Sequence, residues 1–180
     1  MYQGNNPIAI KSQHMLLDAL NELLKEKEYK DISISEICDR SSISRQTFYK
    51  LFGSKENILL FKLDNSPYAD QDAEDIPEII TLMDTCERFS QYVVANYAQL
   101  QMLLENDLME VLYNQMYMSM STCRKSFVGL SDEEREYAAQ FMSAGLCRLT
   151  QKYIRDHEKP DQDDLIRLSY KIMSGKIYRV

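Results

Sequence analysis

Residues 33–59 read Ser33-Ile-Ser-Glu-Ile-Cys-Asp-Arg-Ser-Ser-Ile-Ser-Arg-Gln-Thr-Phe-Tyr-Lys-Leu-Phe-Gly-Ser-Lys-Glu-Asn-Ile-Leu59, and this stretch decides the fold. Ser33 and Glu36 have the S-x-x-E spacing of a capping box, so a helix is expected from Ile34 or Ser35. Ile34, Ile37 and Cys38 give that helix one apolar face. Asp39 to Ser42 break it, and Ser44 is the natural N-cap of the next helix, Arg45 to Phe52. Gly53 is placed to end that helix in the left-handed region, and Ser54-Lys-Glu56 opens another. Two short helices around a tight turn make a helix-turn-helix, a device for laying one helix in the DNA major groove.

The second helix sorts its residues by face. Phe48 and Phe52 stand four apart and should point inward, while the first turn, Arg45, Gln46 and Thr47, faces out. Arg45 and Gln46 are the candidate base readers, because Arg pairs bidentately with guanine and Gln with adenine. Ser44, Thr47, Tyr49 and Lys50 are candidate phosphate contacts, which hold register without reading sequence. Lys55 joins them, beside the free amides at the start of the next helix.

The run Ile43 to Leu59 resembles the signature of the tetracycline-repressor (TetR/AcrR) family of bacterial regulators, and the match extends over residues 8–62. The resemblance implies an all-α homodimer with an N-terminal DNA-binding domain and a larger effector-binding and dimerisation domain. It also implies phosphate contacts at Thr47, Tyr49 and Lys55 and base contacts at Arg45 and Gln46. Two positions depart from the pattern. Ser41-Ser42 stand where the family usually has Ala-Gly, so Ser42 is expected to need a positive φ. Leu51 replaces a residue that is often His or aromatic, which removes one backbone contact.

Charge divides the chain. Residues 1–62 hold nine Lys/Arg and eight Asp/Glu, a net of +1, whereas residues 63–180 hold twelve against twenty, a net of −8. The acid therefore lies away from the reading head, and non-specific DNA affinity should be modest. If a dimer neutralises about six phosphates, log K against log salt should slope at roughly −5. Cysteines stand at 38, 86, 123 and 147 with no C-x-x-C, which argues against a zinc knuckle or a dithiol motif. They read as buried small hydrophobes, with a single-thiol sensor as the alternative. His14 and His157 offer no metal-ligand spacing, and no cofactor is expected.

A first helix is expected from about Ile8 to Lys27, with Leu16, Ala19, Leu20, Leu23 and Leu24 on one face. Lys11 near its start is placed either for a phosphate or for solvent. The domain division expected is residues 1–62 for DNA binding, an acidic linker over 63–77, and a helical domain over 78–180. In that last part helices are expected at 78–95, 97–105, 107–127, 132–157 and 162–174, and Ser131 with Glu134 repeats the capping box.

Met109, Leu112, Tyr113, Met116, Tyr117 and Met120 form an apolar stripe on one helix. Met109, Tyr113, Met116, Tyr117 and Met120 are candidate lining for an effector pocket, or else plain core, which helical spacing cannot separate. By resemblance, the last two helices pair with their copies in a four-helix bundle, through Ala138, Phe141, Met142, Gly145, Leu149, Leu165, Leu168 and Ile172. No nucleophile elbow, phosphate-cradling glycine loop or histidine pair is present, so catalysis is not expected. No apolar run approaches the ~20 residues a bilayer needs, and no basic-then-apolar leader opens the chain, so a cytoplasmic product is expected. The function expected is a ligand-responsive, homodimeric DNA-binding repressor on a pseudo-palindromic operator. The alternative is a DNA-binding co-regulator whose C-terminal helices dock a protein.

Overall fold

The computed structural model describes residues 1–2, 4–64, 80–122, 127–175 and 177. They divide into two compact units, residues 1–62 and 63–180. All regular structure among them is helical. The expected linker over 63–77 falls almost entirely outside the described residues.

The first unit begins with α1 (Pro7–Leu23). Pro7 occupies its first position, where no amide is needed, and the Asn6 side chain accepts from the Ile8 amide. The helix stops at Leu23 because the amides of Lys25, Glu26 and Lys27 fold back on Glu22 and Leu23 as turns. A 3-10 turn (Tyr29–Asp31) leads to α2 (Ile34–Ser41), which opens on the Ser33/Glu36 capping box. Ser42 then takes φ 57°, and α3 (Arg45–Leu51) starts from its Ser44 cap. Gly53, at φ 77°, turns the chain into α4 (Lys55–Asp64). Leu16, Leu20, Ile37, Phe48, Phe52, Ile58 and Leu59 are buried at its centre. Phe52 bridges Phe48 and Phe61 with ring centroids 6.4 and 5.5 Å away, and Phe61 meets His14 at 5.3 Å.

The second unit holds α5 (Leu82–Ala95), α6 (Tyr97–Glu105), α7 (Met109–Thr122), α8 (Asp132–Asp156) and α9 (Gln162–Met173). Helix α7 packs along α8, α5 against α9, and α6 touches α5, α7 and α8. Asp107 at φ 57° makes the α6–α7 corner, and Ser131/Glu134 form the expected capping box of α8. Thr81 and Asp84 build an unforeseen one that starts α5 at Leu82. Buried Ser90, Thr150 and Ser169 each donate to the carbonyl four residues back, so small polar side chains sit in the core without an open donor. Tyr153 fastens α8 to α9, its hydroxyl accepting from the Asp161 amide at 3.0 Å and donating to the Asp161 carbonyl at 3.2 Å. None of the described helices is long and apolar enough to cross a membrane.

Candidate nucleic-acid interface

Helix α3 has one buried face and one open face, and its sequence sets both. Phe48 and Leu51 are inside, while Ser44, Arg45, Gln46, Tyr49 and Lys50 are exposed and Thr47 is half-buried. Ser44 Oγ accepts from the Thr47 amide at 3.1 Å and lies 2.9 Å from the Thr47 hydroxyl. The first turn is thereby capped, and its side chains project as one row. Tyr49 rests edge-on against Phe48 at 5.4 Å yet keeps 55% of its surface open. Arg45 donates to Ser35 Oγ on α2, which steadies a guanidinium that remains exposed.

Most other cations of this unit are already engaged. Arg40 donates to both Glu22 and Glu26, tying α2 to α1, and holds the Glu26 carboxyl below its usual range. Lys27 bonds Glu36, whose carboxyl is lowered to about 2 by that ammonium and then by the Ser33 amide and hydroxyl. No ion pair among the described residues reaches Lys11, Lys25 or Lys50, so with Arg45 they are the charges open to phosphate. These ion pairs join residues far apart in sequence, and nothing in the periodicity announces them.

Lys55 is placed differently from the expectation. Its ammonium donates to the carbonyls of Tyr29 (3.0 Å) and Ile32 (2.6 Å) and lies 4.2 Å from the Tyr29 ring centroid. Burial lowers its pKa. Lys55 is therefore first a strut between α4 and the chain entering α2, because a long cation beside the Ile32 carbonyl and the end of the 3-10 turn bonds them before it reaches outward. The neighbouring Glu56 accepts from Tyr29 Oη at 3.0 Å, which completes the strut.

Two further surfaces lie in the second unit. A cavity of about 490 Å³ is lined by Leu104, Met109, Tyr113, Gln140, Arg148 and Arg155, among others. Of the five residues expected to line a pocket, Met109 and Tyr113 belong to it. Met116 is core, Tyr117 donates to Glu136, and Met120 takes the Ser143 hydroxyl at 3.6 Å; these three lie outside its lining. The stripe winds around α7, so its ends face different neighbours.

Of the residues expected at a dimer face, Phe141 is 79% exposed, Ile172 is 40% exposed and Gly145 is open. Ala138, Met142, Leu149 and Leu168 are half-buried, and Tyr137 adds 70% exposure one residue before Ala138. Leu165 is the correction: it is wholly buried in the core of its own unit and has no surface to offer a partner. Leu165, Ser169 and Ile172 share one side of α9 by helical spacing, and Ile172 keeps its exposure in the last turn, where the helix ends at Met173. Cys38, Cys86 and Cys147 are buried, and burial raises each thiol, as suits packing and opposes a sensor role. Cys123 lies outside the described residues.

Comparison with known proteins agrees with this geometry. Residues 16–60 match the family model described as bacterial regulatory proteins, tetR family. The chain is 26% identical over 159 residues, 81% of each protein, to the HTH-type dhaKLM operon transcriptional activator DhaS of Lactococcus lactis subsp. lactis strain IL1403. Among solved structures, the dihydroxyacetone kinase operon activator DhaS is similar at a TM-score of 0.54 and 21% identity, over 95% of this chain and 99% of that one. That likeness speaks for the fold. The tetR-family repressor AlkX from Dietzia sp. strain DQ12-45-1b gives a TM-score of 0.48 at 15% identity, over 92% and 94% of the two chains.

Proposed function

We propose that this chain, whose residues 16–60 match the tetR family of bacterial regulatory proteins, is a DNA-binding regulator that works as a cytoplasmic homodimer and reads a pseudo-palindromic operator. The observation that carries this reading is the open row Ser44, Arg45, Gln46, Tyr49 and Lys50 on a helix whose other side is buried. Arg45 and Gln46 read base edges, and Ser44, Thr47, Tyr49 and Lys50 hold phosphates. One head of this size reads few base pairs, and two related by a two-fold axis read half-sites about 10 bp, or a multiple, apart. Tyr137, Phe141, Gly145 and Ile172 supply the apolar surface for the second copy, an arrangement in which the same patch meets itself.

The cavity beside α7 is the effector site in this reading. Its lining is mostly polar: Arg148 and Arg155 with Asp107 and Glu110 suit a polar or charged ligand, and Leu104 and Met109 suit its apolar part. Such a ligand moves the protein off DNA only through unequal affinity for the bound and free states. Occupying a promoter represses it. Activation is the second reading, favoured by the role of the Lactococcus lactis relative as an operon activator.

The test is selection of sites from a random duplex library with the purified chain, followed by salt titration on the winner. A two-fold symmetric site and a slope near −5 are expected for about six phosphates. An asymmetric site bound by one copy would remove the dimer from the proposal, and no enrichment by the folded protein would remove autonomous DNA reading. Transcription from that site with and without the protein separates repression from activation.

A further inference from the structure

The reading helix is too short to hold its own pitch, and the N-terminus supplies what it lacks. Helix α3 has seven residues, about two turns, a length at which isolated helices are unstable. Its last carbonyls have no partner within the helix and need donors from elsewhere. The Phe52 carbonyl takes Asn57 Nδ2 at 2.6 Å, and the Leu51 carbonyl takes the Tyr2 amide at 2.7 Å.

Tyr2 is in turn fixed from three sides. Gln13 Nε2 donates to the Tyr2 carbonyl at 3.1 Å, and the Tyr2 hydroxyl accepts from the Asn6 amide at 3.2 Å. At Gly4 a Cβ would overlap the hydroxyl end of the Tyr2 ring, so a larger residue there displaces that ring. Gln13 is 2% exposed on the inner face of α1, where an aliphatic side chain would serve a purely apolar core. A buried amide is retained at that cost when it has a specific bond to make. Tyr2, Gly4, Asn6 and Gln13 are explained together by one device.

We propose that the N-terminal arm carrying Tyr2, Gly4 and Asn6, latched by Gln13, is a positioning element that sets the pitch of α3 for base reading. This rests on the DNA-reading role of α3. Bidentate contacts from Arg45 and Gln46 need their side chains in one geometry, whereas attraction to phosphate tolerates a looser helix. Releasing the arm should therefore cost sequence discrimination and leave non-specific binding in place.

The experiment uses the full chain with Gly4→Ala, Gln13→Ala and both together. Gly4→Ala pushes the Tyr2 ring out of its place beside Asn6 and so strains the arm without touching the core, which keeps it informative if Gln13→Ala folds poorly. Amide hydrogen exchange without DNA should quicken across Phe48–Phe52 in both single variants. The ratio of affinity for the selected site to that for a random duplex of equal length should fall about tenfold in each. The double variant should be no worse than the weaker single, since both act through one arm. Unchanged exchange and an unchanged ratio in Gly4→Ala would overturn the proposal, as would a loss seen in Gln13→Ala alone, which would make Gln13 an ordinary core residue. A wild-type chain that discriminates no sequence would instead sink the DNA-reading premise, with the exchange data still deciding the arm.

Discussion

The first unit and the second are both helical and both capped by the same Ser-x-x-Glu device, yet their candidate site residues are legible to very different degrees. In the head, Arg45, Gln46, Tyr49 and Lys50 lie within less than two turns on the side away from Phe48 and Leu51, and Ser44 is exposed as the cap at the helix start, so one element places them all. In the second unit, the cavity draws Leu104 from α6, Tyr113 from α7 and Gln140 and Arg148 from α8. No spacing within one helix predicts that meeting. A function carried by one element can be read along the chain, and a function carried between elements waits for packing.

The largest expected effect probes the second unit. Phe141→Asp places a charge at the centre of the exposed stripe and should weaken self-association by about 2–4 kcal/mol. Sedimentation velocity at micromolar concentration would then show monomer, and helical content should be unchanged because Phe141 is 79% exposed in the single chain. A dimer of undiminished affinity would mean that another face pairs the copies. In the head, Arg45→Ala should cost about 1–3 kcal/mol on the selected site and little on random DNA. Equal losses on both would show that Arg45 anchors to phosphate and does not read.

Smaller effects test how local the head's design is. Ser42→Gly should stabilise the unit by about 0.5–1 kcal/mol, because a non-glycine residue at φ 57° carries strain that glycine does not. Urea unfolding measures this, and a destabilised variant would mean that the Ser42 side chain holds the turn. The smallest effect is on pH. The Glu36 carboxyl is held at about 2, below its usual value of about 4.3, so its stabilising contribution is full above that value and fades as pH falls towards 2. Thermal unfolding stepped from pH ~6 to ~2 should decline less steeply in Glu36→Gln than in wild type. Parallel declines would assign the acid sensitivity to other carboxylates.

The first unit was legible because its devices are local. The Ser33/Glu36 box, the Ser44 cap, the left-handed Ser42 and the Gly53 turn are each decided within about four residues. The all-helical class and the order of the later helices followed from periodicity and breakers in the same way. Tertiary structure alone decided the rest. It turned Lys55 from an outward charge into a strut on Tyr29 and Ile32, because two carbonyls 23 and 26 residues away came within reach. It buried Leu165 against its own unit, brought Gln13 and Tyr2 to the end of α3, and left only Met109 and Tyr113 of the α7 stripe beside the cavity. Helical spacing states that a residue shares a face with its fourth neighbour. Which element, ligand or second copy that face meets depends on packing between segments far apart in the chain, and no single helix encodes it.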